Sequence, residues 1–153
     1  MNVAVTSHQH TRKINLRLLG KIAAALLTGM EIKTAEIGIC LVAAPEMTRL
    51  NETFLKHKGT TDVITFDHSD PSYQTPDSSP NIHGEIFICV DEAVLQARKF
   101  GTTWQSEVVR YLVHGDLHLL GFDDSSADAR LKMKREENRR LREMTRRFPL
   151  SKL

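Results

Sequence analysis

The sequence has few cysteines and no long apolar run, and both absences exclude classes of protein. Cys40 and Cys89 are the two cysteines in 153 residues, and they form no CxxC pair. A disulfide framework is therefore not expected, and a reducing compartment is favoured. No apolar stretch approaches the roughly 20 residues that span a bilayer. The first ten residues do not show the charged and then apolar pattern of a secretory signal. We expect a cytoplasmic protein with no membrane partner.

Aromatic residues are also scarce, at 6%, while hydrophobic residues reach 41% and charged residues 26%. These values are close to those of an ordinary soluble globular protein and argue against a disordered or fibrous chain. The apolar content suffices for one core of ordinary size but hardly for two. The composition therefore predicts a single domain over residues 1–153.

The formal net charge of +2 conceals an uneven distribution along the chain. Residues 127–153 carry ten Lys and Arg against four Asp and Glu, whereas residues 1–126 carry eleven against fifteen. A basic C-terminal segment on a slightly acidic body suits contact with phosphate backbones. A solvated helix with no such partner has a similar composition, so both interpretations stay open.

Apolar periodicity and turn residues predict an α+β fold, a small mixed β-sheet packed with helices. Pro45 suits the first turn of the second helix, and Asp91 is predicted as the N-cap of the third. Thr102 and Gln105 form a candidate capping box, and Gly121 should end the helix that follows. The predicted strands are 2–6, 36–43, 62–66 and 84–90; the helices are 14–29, 44–56, 92–100, 102–121 and the basic 126–147; and 67–81 is a flexible loop.

Two histidines four residues apart form the candidate metal site. His114 and His118 should lie on one face of a helix, where both imidazoles can reach one ion. Gly121 then turns the chain so that Asp124 can return to that ion. The spacing resembles the metzincin arrangement, but Gly115 replaces the catalytic Glu of HExxH proteases, which argues against that peptidase chemistry. A chance pair of partly exposed histidines is the plain alternative.

Three segments match motifs of one known protein family. His114-Gly-Asp-Leu-His-Leu-Leu-Gly-Phe-Asp is similar to the family core HGxLHLxGYD. Leu50-Asn-Glu-Thr-Phe with Thr61-Asp-Val-Ile-Thr-Phe resembles LNxxYR…TDVLSF, and Gly84-Glu-Ile-Phe-Ile resembles the GDI strand. The resemblance, to the YbeY family of endoribonucleases, covers roughly residues 35 to 145. It implies one zinc ion, cleavage of single-stranded RNA, and a role in ribosomal RNA maturation and ribosome quality control, with proteins of the small ribosomal subunit as further partners.

Three positions depart from the family pattern. Asp124 stands where the family has a third histidine ligand, Leu55 replaces an arginine linked to catalysis, and Thr60 replaces a proline. A carboxylate can complete a site with two histidines, and that donor set also suits Fe(II) or Mn, so other divalent metals compete with zinc. Lys56 or Lys58 is near enough in sequence to replace the arginine.

The remaining candidates have weaker signals. Asp123 is predicted to stabilise the turn or to support a ligand from outside the coordination sphere, with direct ligation as the alternative. Glu107 lies on the His114 face of the helix and is predicted to be a carboxylate partner or catalytic base, or else an exposed Glu without a role. The other histidines are His68 and His83, each a spare ligand or solvated, and His8, His10 and His57, assigned to the surface.

These patterns favour a metal-dependent single-strand endoribonuclease that uses His114, His118, Asp124, Lys56 and Glu107. Two alternatives remain. One is a non-catalytic ribosome-assembly or RNA-binding factor whose metal is structural or lost, since the arginine and the third histidine are missing. The other is a metal hydrolase acting on a different, small substrate.

Overall fold

Four strands and five α-helices make up the computed structural model, which describes residues 1–73 and 80–153. The elements are β1 (Asn2–Ser7), α1 (Leu16–Gly29), β2 (Thr34–Val42), α2 (Ala44–Leu50), β3 (Val63–Asp67), β4 (Asn81–Cys89), α3 (Val90–Phe100), α4 (Trp104–Leu119) and α5 (Ala127–Arg147). A π-helical turn, Asn51–Leu55, extends α2, and 3₁₀ turns cover Pro71–Tyr73 and Leu150–Lys152. The α+β class predicted from the sequence is confirmed.

The strands form one mixed sheet in the order β1-β2-β4-β3. β1, β2 and β4 are parallel, and β3 is antiparallel to β4 at the edge. The register pairs Ile39 with Ile86 and Val63 with Ile88. Buried and exposed residues alternate along β2 and β4, so one face of the sheet carries most of the core.

The main apolar cluster lies between that face and helices α1, α4 and α5. It joins fully buried side chains from distant parts of the chain, including Leu19, Ile86, Leu112 and Met144. A smaller cluster under α2, around Met47 and Ile64, covers one end of the opposite face. The main cluster draws on residues from Leu19 to Leu153. The single domain over residues 1–153 stays a prediction.

Helix α4 approaches the sheet closely because its centre carries a glycine. A Cβ atom added at Gly115 would lie 2.8 Å from Ile86 Cγ2 and 3.2 Å from Thr65 Cγ2. Gly115 therefore faces the sheet, and any side chain at this position would have to displace Ile86 or Thr65. This explains why the glutamate of HExxH proteases has no counterpart here.

Gly115→Ala should destabilise the protein although alanine favours helices. Ile86 is fully buried and cannot move aside freely, so we expect overpacking to cost about 1 to 3 kcal/mol. Because the gain in helix propensity is only roughly 1 kcal/mol, the net change should be a loss of up to about 2 kcal/mol. Urea unfolding measures the change, with Gly20→Ala in α1 as the control, because a Cβ there would meet Val5 at an ordinary 3.7 Å. Equal gains in stability for both variants would contradict the tight packing of α4.

Several local predictions need correction. Asp91 lies inside the first turn of α3, and Cys89 is the N-cap; Asp91 instead accepts a hydrogen bond from the Ala44 backbone at 2.6 Å. Thr103 rather than Thr102 caps α4, accepting from Ser106 N at 3.2 Å. The helix predicted over 44–56 becomes π-helical at Asn51 and ends at Leu55.

The predicted loop 67–81 is shorter than expected, because β3 includes Asp67 and β4 begins at Asn81. Its residues 74–79 lie outside the described part of the chain. Within the described ranges, every helix is too short or too polar to span a bilayer.

Candidate metal centre

Helix α4 carries both histidines of the predicted metal site, His114 and His118. The helix starts at the Thr103 cap and is anchored by fully buried Val109, Leu112 and Val113. This packing fixes the helix rotation, so the two imidazoles four residues apart emerge together. Both side chains are about a quarter exposed, at 28% and 27%.

The turn after α4 brings the third candidate ligand back to the histidines. Gly121 adopts a positive φ of 93°, and its amide donates to the His118 carbonyl at 2.9 Å. Such a left-handed residue ends the helix and reverses the chain. Phe122 O is thereby placed 3.2 Å from His118 Nδ1. Asp124 Oδ2 lies 3.7 Å from His118 Nε2.

The three predicted ligands therefore converge. One donor atom each from His114, His118 and Asp124 lies within 4.8 Å of the others. The two Nε2 atoms are 3.0 Å apart. Two nitrogens on a tetrahedral zinc ion, each about 2.0 to 2.1 Å from the metal, are separated by roughly 3.3 Å. The donor spacing is thus close to that of a bound ion.

A buried carboxylate on α5 holds the first histidine. Glu137 Oε2 lies 2.9 Å from His114 Nδ1, and Glu137 is only 4% exposed. Burial by itself would raise the Glu137 pKa. The His114 hydrogen bond and the charges of Lys134 and Arg110 outweigh it and lower that pKa from 4.5 to about 2. Glu137 is therefore ionised and accepts a hydrogen bond from the Nδ1–H group of His114.

These contacts decide which ring nitrogens remain for a ligand. The Glu137 carboxylate accepts a hydrogen bond from His114 Nδ1–H, and the Phe122 carbonyl accepts one from His118 Nδ1–H. In a neutral imidazole with its proton on Nδ1, the Nε2 atom is unprotonated and can bind a metal. Two lone pairs would then face each other across 3.0 Å. A cation between them removes this repulsion. A carboxylate behind a ligating histidine is also the usual support for such a site. The donor set therefore fits a divalent metal.

The low pKa of Glu137 makes the metal-free protein sensitive to acid. Because the folded-state pKa of about 2 lies below the unfolded value of 4.5, the carboxylate stabilises the fold above pH 4.5. That contribution, about 3 kcal/mol, should be lost as the pH falls from 4.5 to 2. Denaturant unfolding of the wild type and Glu137→Gln across this range tests it. A stability difference that does not shrink towards pH 2 would contradict the assignment.

An open cavity of about 660 Å³ lies between α3, α4 and α5 and reaches the metal centre. His114, Asp124 and Glu137 lie along its wall, together with the cations Arg110, Arg130 and Lys134. A volume of this size is typical of sites that bind small molecules or parts of larger ligands. The metal centre thus opens onto a space that a substrate can enter.

Two residues predicted to be catalytic lie away from the histidine pair. Glu107 is buried rather than exposed, accepts from Thr102 Oγ1 at 2.8 Å, and lies about 10 Å along the helix from His114. Glu137 and not Glu107 is the carboxylate partner of His114, although Glu107 lines the same cavity. Lys56 is exposed at the end of the π-helical turn and is not part of the cavity wall. Catalytic roles for Glu107 and Lys56 stay predictions.

The other candidates have structural partners of their own. Asp123 is exposed and accepts from Ser125 N at 2.8 Å, and the two Ser125 hydrogen bonds lower its pKa, in agreement with the predicted turn role. His68 pairs with Glu85 at 2.8 Å on the sheet face opposite α4, and its ring packs edge-on against His83. His8, His10 and His57 are exposed as predicted.

The comparisons with known proteins agree with this architecture. The family model described as Endoribonuclease YbeY matches residues 2–145. The chain belongs to the YbeY family. The predicted resemblance is therefore confirmed, and it extends to β1, beyond the motifs from which it was inferred.

Individual YbeY relatives are similar over much of the chain. Proteins named Endoribonuclease YbeY from Acidothermus cellulolyticus and Elusimicrobium minutum are 36% and 35% identical over 140 and 130 residues. These matches cover 87% and 85% of this chain and 85% and 87% of the relatives. The Myxococcus xanthus YbeY is 41% identical over 107 residues, or 70% of this chain, but the match spans only 36% of that relative.

A solved structure also shares the fold of this chain. The solution structure of a Thermotoga maritima protein superposes with a TM-score of 0.67 at 23% identity. The match covers 97% of this chain and 95% of the other. At this level of identity the likeness establishes the fold alone.

Proposed function

We propose that the protein is a metal-dependent endoribonuclease that cleaves single-stranded RNA in ribosomal RNA maturation and ribosome quality control. The observation that carries the proposal is the pair of Nε2 atoms 3.0 Å apart, each ring fixed through Nδ1 by an acceptor. Membership of the YbeY family supports RNA as the substrate. Ribosomal RNA and small-subunit proteins are proposed from the family resemblance.

His114, His118 and Asp124 would hold the ion, with zinc as the proposed metal and other divalent ions as competitors because of the carboxylate. A bound zinc ion supplies a water of lowered pKa and a Lewis acid for the phosphodiester. Glu137 holds the His114 ring in one orientation and one tautomer. The cavity beside His114 would receive the RNA backbone.

Metal-loaded protein tests the proposal on an unstructured RNA and a matched duplex. We expect cleavage of the single strand, its loss on chelation and its recovery on adding zinc. The nuclease function would be refuted if the wild type with stoichiometric metal left the single strand intact and His114→Ala gave the same result as the wild type.

A non-catalytic RNA-binding or ribosome-assembly factor is the second candidate. It is favoured by Leu55 and Asp124, which replace the family's arginine and third histidine. Such a factor would bind the single strand and leave it intact under the same conditions. The cleavage assay combined with a binding assay therefore separates the two functions.

A further inference from the structure

Three cationic side chains line the cavity between α3, α4 and α5, and they differ in whether they have an acidic partner. Arg110 lies 3.1 Å from Glu137 through Nη1 and 3.6 Å from Glu107 through Nε. Lys134 lies 3.2 Å from Glu137. Within residues 1–73 and 80–153, Arg130 is the cation of this wall that has no acidic partner. Its contact is one hydrogen bond, from Nη1 to the Asp124 carbonyl at 3.2 Å.

The position of Arg130 is not explained by helix stability. It is the fourth residue of α5, whose first turn follows the Ser126 cap. A cation there faces the positive end of the helix dipole, which is mildly unfavourable. An unpaired guanidinium attracts an anion, and so does the start of a helix. The anion would lie in the cavity that His114 and Asp124 also line.

From these contacts, the geometry points to Arg130 as the residue that binds a backbone phosphate of the RNA at the metal centre. Its guanidinium keeps most of its five N–H donors for a bidentate contact with phosphate oxygens. The hydrogen bond to the Asp124 carbonyl orients the side chain beside the third candidate ligand. This inference rests on the proposed function and assigns the phosphate contact to α5 rather than to Lys56.

Arg130→Gln tests the contact by removing the charge while keeping a donor for the Asp124 carbonyl. With metal-loaded protein and a fluorescent single-stranded oligouridylate, we expect kcat/KM to fall about tenfold, chiefly through KM. The slope of log KM against log salt should decrease by about 0.7, the value for one lost phosphate contact on a single strand. Arg130→Lys should recover part of the loss.

Arg135→Gln is the matched control, because Arg135 is an exposed arginine of the same helix outside this cavity. It should retain wild-type kcat/KM and salt dependence. Metal content, measured by elemental analysis, should be unchanged in every variant. Equal kinetics for Arg130→Gln and Arg135→Gln would overturn the inference. Loss of metal in Arg130→Gln would also overturn it, because Arg130 would then act by positioning Asp124.

Fluorescence anisotropy with the same oligouridylate separates failure of this inference from failure of the proposed function. A wild type that binds but does not cleave refutes the nuclease. The affinities of Arg130→Gln and Arg135→Gln then still decide the phosphate contact. A wild type that cleaves, with Arg130→Gln binding and cleaving equally well, refutes the inference alone. A wild type that does not bind the RNA refutes both.

Discussion

Replacing His118 with alanine should reduce RNA cleavage by at least about a thousandfold. The change removes a proposed ligand, whose Nε2 lies 3.0 Å from His114 Nε2 and 3.7 Å from Asp124 Oδ2. Two remaining donors do not make the three-ligand site that catalytic zinc requires. Loss of the metal removes several kcal/mol of charge stabilisation in the transition state, and each 1.4 kcal/mol is tenfold in rate. Initial rates on unstructured RNA measure the effect.

His68→Ala is the control for this experiment, because His68 pairs with Glu85 on the opposite face of the sheet. It should cleave as the wild type does and contain the same amount of metal. Because His118 is partly exposed, the folded state should survive its loss. Cleavage that persists in folded His118→Ala would mean that the nuclease activity does not come from this centre.

Glu137→Gln should weaken metal binding about 10- to 100-fold, the range found when the partner of a ligating histidine is removed. Glutamine keeps the size and a hydrogen-bond acceptor, but it removes the charge that stabilises the Nδ1–H of His114. It also leaves Arg110 and Lys134 without their shared carboxylate. Competition with a metal chelator measures the affinity, and the ¹⁵N shifts of His114 report the tautomer.

Glu136→Gln is the matched control, since Glu136 is the preceding residue of α5 and pairs with Arg139 and Arg140 instead. Its metal affinity should equal that of the wild type. If Glu137→Gln and Glu136→Gln retain the same affinity and the same His114 tautomer, then Glu137 does not support the metal ligand.

The features predicted correctly from the sequence depend on local geometry. The spacing of His114 and His118 determines a shared helix face, and Gly121 determines where the helix ends, whatever the rest of the chain does. Apolar runs bounded by turn residues likewise predicted the four strands. The predicted N-cap of α3 was wrong, because it depends on a distant contact. Asp91 lies inside α3 and accepts a hydrogen bond from the Ala44 backbone at the start of α2, 47 residues away in sequence.

Glu137 was missed because its contact with His114 spans 23 residues and depends on how α5 packs against α4. A signal for it does exist in the sequence. Met133, Glu137, Leu141 and Met144 recur at intervals of four, four and three, and all four are buried. A charged residue inside such an apolar stripe requires a partner, because an unpaired buried charge is costly. Leu131, by contrast, lies off this stripe and is 51% exposed.

The metal content of the wild type compared with Asp124→Ala tests the central claim most directly. The account predicts one ion per wild-type chain and a large loss in Asp124→Ala, because the carboxylate is the third donor within 4.8 Å of the others. His68→Ala should retain the wild-type content. Equal metal in the wild type and Asp124→Ala would remove Asp124 from the site and contradict the two-histidine, one-aspartate centre.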